Sequence, residues 1–158
     1  MTSSHETTTI LFGCANLRGP WETYAKRYEL RELSLPGEPS GAVAKGEPTL
    51  KPATLRRLRK QAGPSLRFSI VVPPALALLR PGPAYDEALA RTIEAQRLLE
   101  AQHVLVRTPV EVTPAALPRE RLTRLIGQLR EGFREAAPLV SLYWEPRGVW
   151  QPEDAQAF

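Results

Sequence analysis

Short apolar runs and longer amphipathic stretches alternate about five times along this chain. Apolar and β-branched residues concentrate in runs that predict strands, at Ile10–Cys14, Leu30–Leu33, Arg67–Val72, His103–Arg107 and Leu139–Tyr143. Most of the stretches between these runs have the length and the apolar spacing of helices. Such regular alternation predicts an α/β fold with a parallel sheet. The run at Phe68–Val72 is almost wholly apolar, which is typical of a strand that helices cover on both faces.

Helical spacing is clearest in the second half of the chain. A helix that begins near Pro118 carries one apolar stripe, made of Leu122, Leu125, Ile126, Leu129 and Phe133. A longer helix is predicted at Tyr85–Gln102, with Leu89, Ile93 and Leu99 among its buried residues. Another helix is expected to begin after Gln151.

The first half of the chain predicts two shorter helices. One helical face carries Trp21, Tyr24, Ala25 and Tyr28, and we interpret this face as core packing and not as an aromatic platform for a ligand. The helix at Ala53–Ala62 bears Arg56, Arg57, Arg59 and Lys60 on its outer face. A run of charge is typical of a solvated helix face, and contact with nucleic acid is the alternative.

A long segment rich in Gly and Pro separates these two helices. Residues Leu35–Lys51 predict a loop, and a loop of this length is either a functional lid or a disordered insert. At the start of the chain, Met1–Thr9 is polar and predicts a disordered tail. The remaining residues, 10–158, are expected to form one domain.

Composition changes this picture only in part. The chain has 158 residues, of which 42% are hydrophobic and 24% are charged, which excludes a wholly disordered protein. A net charge of +4, from 21 basic and 17 acidic residues, permits binding of phosphate or nucleic acid without requiring it.

Cysteine and histidine are too few for metal or disulfide chemistry. Cys14 is the single cysteine and is expected to be a small buried thiol, and two histidines give no cluster with metal-ligand spacing. His103 opens a strand and is expected to be a packed or surface residue. We therefore expect no metal and no cofactor. No apolar segment has the length of a membrane span, and the cytoplasm is the expected compartment.

The order of these pieces resembles the YecE-like family, the TIM-barrel domain of unknown function numbered seventy-two. The matching pieces are the strand ending at Gly13, the helix Glu22–Tyr28, the strand with Glu32, the helix Thr54–Leu58 followed by Leu66–Ser69, and a late strand closing at Pro146. The resemblance implies a (β/α) barrel. Family members have eight strands, whereas this chain shows about five βα units. We therefore expect a partial TIM-type barrel, which is open, or is completed by a partner chain or a second copy.

The resemblance also implies where polar residues should lie, and this chain departs from that pattern. Only Glu32 matches the family at its polar strand ends. Val72 and Arg107 stand where the family has lysine and glutamine, and Leu142–Pro146 stands where it has Glu-Phe-Arg-His-Pro. These losses favour a degenerate family member.

In such a fold the site lies at the carboxyl ends of the strands. The candidates there are Asn16, Arg18, Glu32, Ser34, Arg107, Glu145 and Arg147. Strand parity turns Glu32 and Arg107 to the same side, where we expect an ion pair that is either structural or part of a site.

Two functions follow from these candidates. The first is binding of a ligand or a protein partner with little catalysis. The second is an enzyme or nucleic-acid-processing barrel that acts on a phosphorylated substrate, with Glu32 as general base and with Arg107 and Arg147 holding the phosphate or carboxylate. No phosphate-binding loop, dinucleotide fingerprint or Ser/His/Asp order is present in the sequence.

Overall fold

The computed structural model describes residues 12–14, 21–35, 51–64, 66–134 and 140–155. In this part of the chain a sheet of five parallel strands has the order β1-β2-β3-β4-β5. Its strands are β1 (Gly13–Cys14), β2 (Leu30–Ser34), β3 (Arg67–Val71), β4 (His103–Thr108) and β5 (Ser141–Pro146). The predicted strands thus pair in sequential order, as the first strands of a (β/α) barrel do.

Helices follow the strands along the chain. They are α1 (Trp21–Arg27), α2 (Pro52–Ala62), α3 (Pro74–Ala77), α4 (Pro83–Leu99), α5 (Ala116–Phe133) and α6 (Pro152–Ala155). Right-handed connections between sequential parallel strands place such helices on one face of the sheet. Helices α1, α2, α4 and α5 accordingly form one layer, each beside the next. The described part of the chain is a partial TIM-type (β/α) barrel, which confirms the predicted fold class.

The hydrophobic core lies between this helical layer and the sheet. The sheet contributes the buried side chains of Leu33, Phe68, Ile70, Val104 and Val106. Helix α5 contributes the predicted stripe, in which Leu122, Leu125, Leu129 and Phe133 are buried and Ile126 is half-buried.

Helix α4 departs from its predicted buried face. Leu99 is buried, but Leu89 and Ile93 are half-buried, and the fully buried positions include Thr92 and Gln96. Thr92 Oγ1 donates to the carbonyl of Ala88 at 2.7 Å, and Gln96 Nε2 donates to the carbonyl of Ala101 at 3.1 Å. These bonds offset the loss of water around the Thr92 hydroxyl and the Gln96 amide nitrogen, whereas the buried Oε1 of Gln96 has no hydrogen-bond partner among the described residues.

The prediction that helices cover both faces of the third strand is wrong. Phe68 and Ile70 face the helical layer, whereas Ser69 and Val71 lie on the opposite face, among side chains of the neighbouring strands. All of these residues are buried. An apolar run of this kind therefore does not require a second helical layer, because Ser69 and Val71 are buried on the face opposite the helices.

Arg59 is not part of a solvated basic face on α2. Its Nη1 donates to the carbonyl of Leu66 at 3.1 Å, and its Nη2 donates to the carbonyl of Gly63. The guanidinium also lies 5.4 Å from the ring centroid of Phe68. Arg56, Arg57 and Lys60 are exposed, as predicted.

Two further elements differ from the sequence interpretation. Helix α3 lies where the sequence analysis predicts no helix, and β5 extends three residues beyond its predicted end at Tyr143 to Pro146. The predicted tail 1–9, the loop residues 36–50 and the side chain of Trp21 lie outside the described residues. Tyr24 on α1 is buried and Tyr28, directly after this helix, is partly buried, as expected for core packing.

Candidate functional site

The face of the sheet opposite the helices is polar, and we call it the inner face. Strand alternation places on it Leu30, Glu32 and Ser34 of β2, Arg67, Ser69 and Val71 of β3, His103, Leu105 and Arg107 of β4, and Ser141, Tyr143 and Glu145 of β5. In β4 the helix-facing residues are buried and the inner-face residues are half-buried. A half-barrel that exposes charged side chains on its concave side can receive a ligand there.

Three predicted site residues meet at the carboxyl end of the inner face. Arg107 and Glu145 are direct neighbours across β4 and β5. Arg107 Nε donates to Glu145 Oε2 at 2.8 Å, and Arg147 Nε lies 3.5 Å from Glu145 Oε1. We call this group the rim cluster. The extension of β5 to Pro146 produces it, because only a continued strand aligns Glu145 with Arg107.

The rim cluster is positively charged and accessible. Two guanidinium groups against one carboxylate give it a net charge of +1. The hydrogen bond from Arg107 is the main reason why the pKa of Glu145 lies below its ordinary value, and the charges of Arg107 and Arg147 act in the same direction. The Glu145 side chain is 41% exposed, so solvent reaches the group.

Arg107 keeps its outer nitrogens available. In residues that the structure describes, its only hydrogen bond is the one from Nε to Glu145. The Nη1 and Nη2 groups can then donate two parallel bonds to a phosphate or carboxylate.

The expected pair of Glu32 and Arg107 is not formed. Both residues lie on the inner face, which confirms their shared parity, but Glu32 is level with Ser69 and His103, four residues before Arg107 on β4. Strand geometry then separates their Cα atoms by about 16 Å, from two strand spacings across and four residues along. Arg107 pairs with Glu145 instead. Glu32 lies in the middle of β2, below the rim at which it was expected.

The remaining predicted site residues are dispersed. Ser34 ends β2 and is exposed. It is level with Val71 and with Leu105, which precedes Arg107 by two residues on β4. Asn16 and Arg18 lie outside the described residues, as does the side chain of Cys14.

Sequence reasoning missed a polar row on the inner face. Glu32, Ser69, His103 and Ser141 occupy the same level on four adjacent strands. The His103 ring packs against Tyr143 with centroids 5.7 Å apart, and neither ring nitrogen has a hydrogen-bond partner in the described structure. Burial, and to a lesser extent Arg67, lower the pKa of His103 below its ordinary value. The alternation of side chains along each predicted strand was the signal that could have revealed this row, because it places these residues on one face of the sheet.

Metal-ligand clusters and membrane-spanning helices are both absent from the described ranges. These contain no cluster of three or more His, Cys, Asp or Glu side chains placed to bind a metal ion. None of their helices combines the length and the apolar character that crossing a bilayer requires.

The fold is thus a partial (β/α) barrel, and the rim cluster is a basic group of side chains at the carboxyl end of its strands. No model of a known protein family matches the sequence, and no curated protein matches it. The fold is similar to the crystal structure of a DUF72 family protein from Thermotoga maritima, with a TM-score of 0.51 and 15% sequence identity.

This structural match covers 80% of the present chain and 45% of the Thermotoga chain. The chain thus spans less than half the length of that protein. DUF72 is the domain of unknown function that the sequence resembles, and the resemblance is confirmed at the level of the fold.

Proposed function

We propose that this protein binds an anionic small molecule at the rim cluster and does little catalysis on it. The observation that carries the proposal is the convergence of Arg107 and Arg147 on one Glu145 carboxylate at the carboxyl end of parallel strands. That end is where ligands of such folds are recognised.

The charge arrangement supports an oxyanion as the ligand. Glu145 fixes the Arg107 guanidinium through Nε, which limits the side-chain entropy lost on binding. A fixed planar fork matches the two oxygens of a carboxylate or phosphate. The net charge of +1 then favours one anionic group over a neutral or cationic one.

The geometry supports binding more than catalysis. Glu145 is a poor general base near neutral pH, because its lowered pKa reduces its affinity for a proton. Glu32, the predicted base, lies about 16 Å from Arg107 between Cα atoms by strand geometry. A single phosphate or carboxylate held by the rim cluster does not reach it.

Titration with inorganic phosphate and with succinate, followed by ¹⁵N–¹H NMR, tests the proposal. We expect the amides of Glu145 and Arg147 to shift, and Arg107→Gln or Arg147→Gln to weaken binding roughly three- to tenfold. Arg130→Gln is the matched control, because Arg130 is an exposed arginine near the far end of α5. Equal affinities for Arg107→Gln, Arg130→Gln and the unchanged protein contradict the proposal.

Catalysis on a phosphorylated substrate is the second candidate. The polar row of Glu32, Ser69 and His103 favours it, because Glu32 has no ion-pair partner in the described residues, lies beside Ser69 on β3, and is level with His103 one strand further on. Phosphate release from a panel of phosphorylated small molecules measures it, with Glu32→Gln as the variant. Turnover that Glu32→Gln abolishes without loss of the fold would replace the first candidate. A steep loss of binding with salt would identify nucleic acid as the anion.

Binding of a partner chain remains part of the proposal. The inner face and the outer edge of β5 are the surfaces on which further strands of a barrel would pack. Tyr143 on this face is half exposed, which supports such a contact. Measuring the mass in solution by light scattering separates a monomer from a second copy or a bound partner.

A further inference from the structure

A small depression lies among the loops that follow β3 and β4. It has a volume of about 110 Å³, and its lining includes Leu79, Arg80, Glu111, Val112, Pro118 and Arg121. We call it the loop depression. Several water molecules fit in this space, and so does one tetrahedral oxyanion. Sites for whole drug-sized ligands are larger, from about 300 Å³.

The polar lining of the loop depression is basic. Arg80 and Arg121 contribute two positive charges and Glu111 contributes one negative charge, for a net charge of +1. Among the described residues none of these three side chains has a hydrogen-bond or ion-pair partner. The other arginines near this end of α5 differ. Arg119, for example, donates from Nε to the carbonyl of Pro114 and pairs with Asp154.

The walls of the loop depression are held in place. Leu79 has a left-handed backbone, with φ of 56°, and its side chain is buried. A left-handed residue at this position commonly ends a helix, and Leu79 follows the cap of α3, with its N–H donating to the carbonyl of Leu76. The buried side chain fixes the direction in which the next residue, Arg80, leaves the core.

The opposite wall is a tight turn. Val112 N donates to the carbonyl of Pro109 at 3.1 Å, and the carbonyl of Val112 accepts a bond of 2.6 Å from Trp150 Nε1. Val112 is itself buried. Arg80 thus follows one buried wall residue, Glu111 precedes the other, and Arg121 reaches the depression from α5, so three separate elements bring these charges together.

We infer that the loop depression is a second anion-binding site, which takes one phosphate or carboxylate group between Arg80 and Arg121. It shares no residue with the rim cluster, so binding at one site can be tested independently of binding at the other. Because Glu111 opposes the anion, its neutralisation strengthens binding.

The same NMR titration tests this inference at different amides. With inorganic phosphate as the probe, we expect Glu111 and Val112 to shift in the full chain. Arg80→Gln and Arg121→Gln should each raise the dissociation constant at these amides about threefold to tenfold. Glu111→Gln should lower it by a similar factor. Acetate in a parallel titration distinguishes a carboxylate from a phosphate preference.

Three controls separate the possible outcomes. Arg130→Gln lies nine residues beyond Arg121 on the same helix, about 13 Å along its axis and so beyond the screening length at physiological salt. Glu94→Gln is the exposed acidic control on α4. Arg107→Gln should leave the Glu111 and Val112 shifts unchanged even where the rim cluster has lost its ligand. Equal binding by Arg80→Gln, Arg121→Gln and Arg130→Gln overturns the inference, and so does an unchanged affinity in Glu111→Gln.

Discussion

Replacing Arg59 with methionine should destabilise the fold far more than the same change at other arginines of α2. Methionine keeps most of the apolar stem and removes the guanidinium group, so the variant isolates what that group contributes. In the structure this group joins the end of α2, at the carbonyl of Gly63, to the residue that precedes β3, at the carbonyl of Leu66. It also lies over the ring of the fully buried Phe68.

The magnitude follows from these contacts. Hydrogen bonds from a charged donor contribute about 1.5–3 kcal/mol each, and a cation–π contact contributes about 0.5–1 kcal/mol. The ion pair with Glu100 adds little, because the side chain of Glu100 is 74% exposed. The Arg59 side chain is only 19% exposed, so the other bonds keep their strength. Because such contributions are not additive, we expect a loss of about 2–4 kcal/mol in the free energy of unfolding.

Urea unfolding followed by far-ultraviolet circular dichroism measures this loss. Arg57→Met is the matched control, since Arg57 is an exposed residue of the same helix, and its effect should stay within about 0.5 kcal/mol. Arg59→Lys keeps the charge but cannot reach both carbonyls with a planar fork, so it should retain only part of the stability. If Arg59→Met and Arg57→Met unfold at the same urea concentration, the assignment of Arg59 as a bridge between helix and strand is wrong.

Three further predictions concern the core and the inner face. His103 has a folded-state pKa below its unfolded value of 6.5, so stability should fall as the pH drops through 6.5, since the unfolded chain then binds the proton more readily. His103→Gln should reduce the fall in urea midpoint between pH 7.5 and 5.5, and an identical fall would refute this. Tyr85→Phe removes the 2.7 Å bond from its hydroxyl to Gln128 Oε1, which joins α4 to α5; unfolding in urea should show a loss of about 1 kcal/mol, and no loss would mean that the bond is unimportant. Leu129→Ala, at a fully buried position, should lose about 2–5 kcal/mol in the same assay, and a loss below 1 kcal/mol would argue against the packing described.

The fold could be predicted because its signals are local. Alternation of buried and half-buried positions marks β4, and a run of apolar residues marks β3. Once the strands are identified, short connections favour pairing of consecutive strands, which gives the sequential order. Helix α3 could not be predicted, because four residues are too few to show a helical period. The buried Thr92 and Gln96 also escaped prediction, because the carbonyls to which they donate become visible only in three dimensions.

The sequence indicates Arg107, Glu145 and Arg147 as candidates but does not predict that they contact one another. Parity along a strand correctly placed Glu32 and Arg107 on one face, since side chains alternate with a period of two. How far apart they lie along the strand direction depends on the stagger of β2 relative to β4, which β3 sets. Ser69 of β3 is level with both Glu32 and His103. No local pattern encodes that stagger. The partner of Arg107 therefore emerged only from the register of β4 and β5.

The edge-to-face pair of Trp144 and Trp150, with ring centroids 4.7 Å apart, gives the rim a built-in optical reporter. Trp144 directly precedes Glu145, and Trp150 follows Arg147 by three residues. These are two of the chain's three tryptophans, so a large share of its fluorophores lies in the segment that carries Glu145 and Arg147. A ligand that shifts this cluster should alter the emission of the unlabelled protein, so affinity can be followed at concentrations too dilute for magnetic resonance.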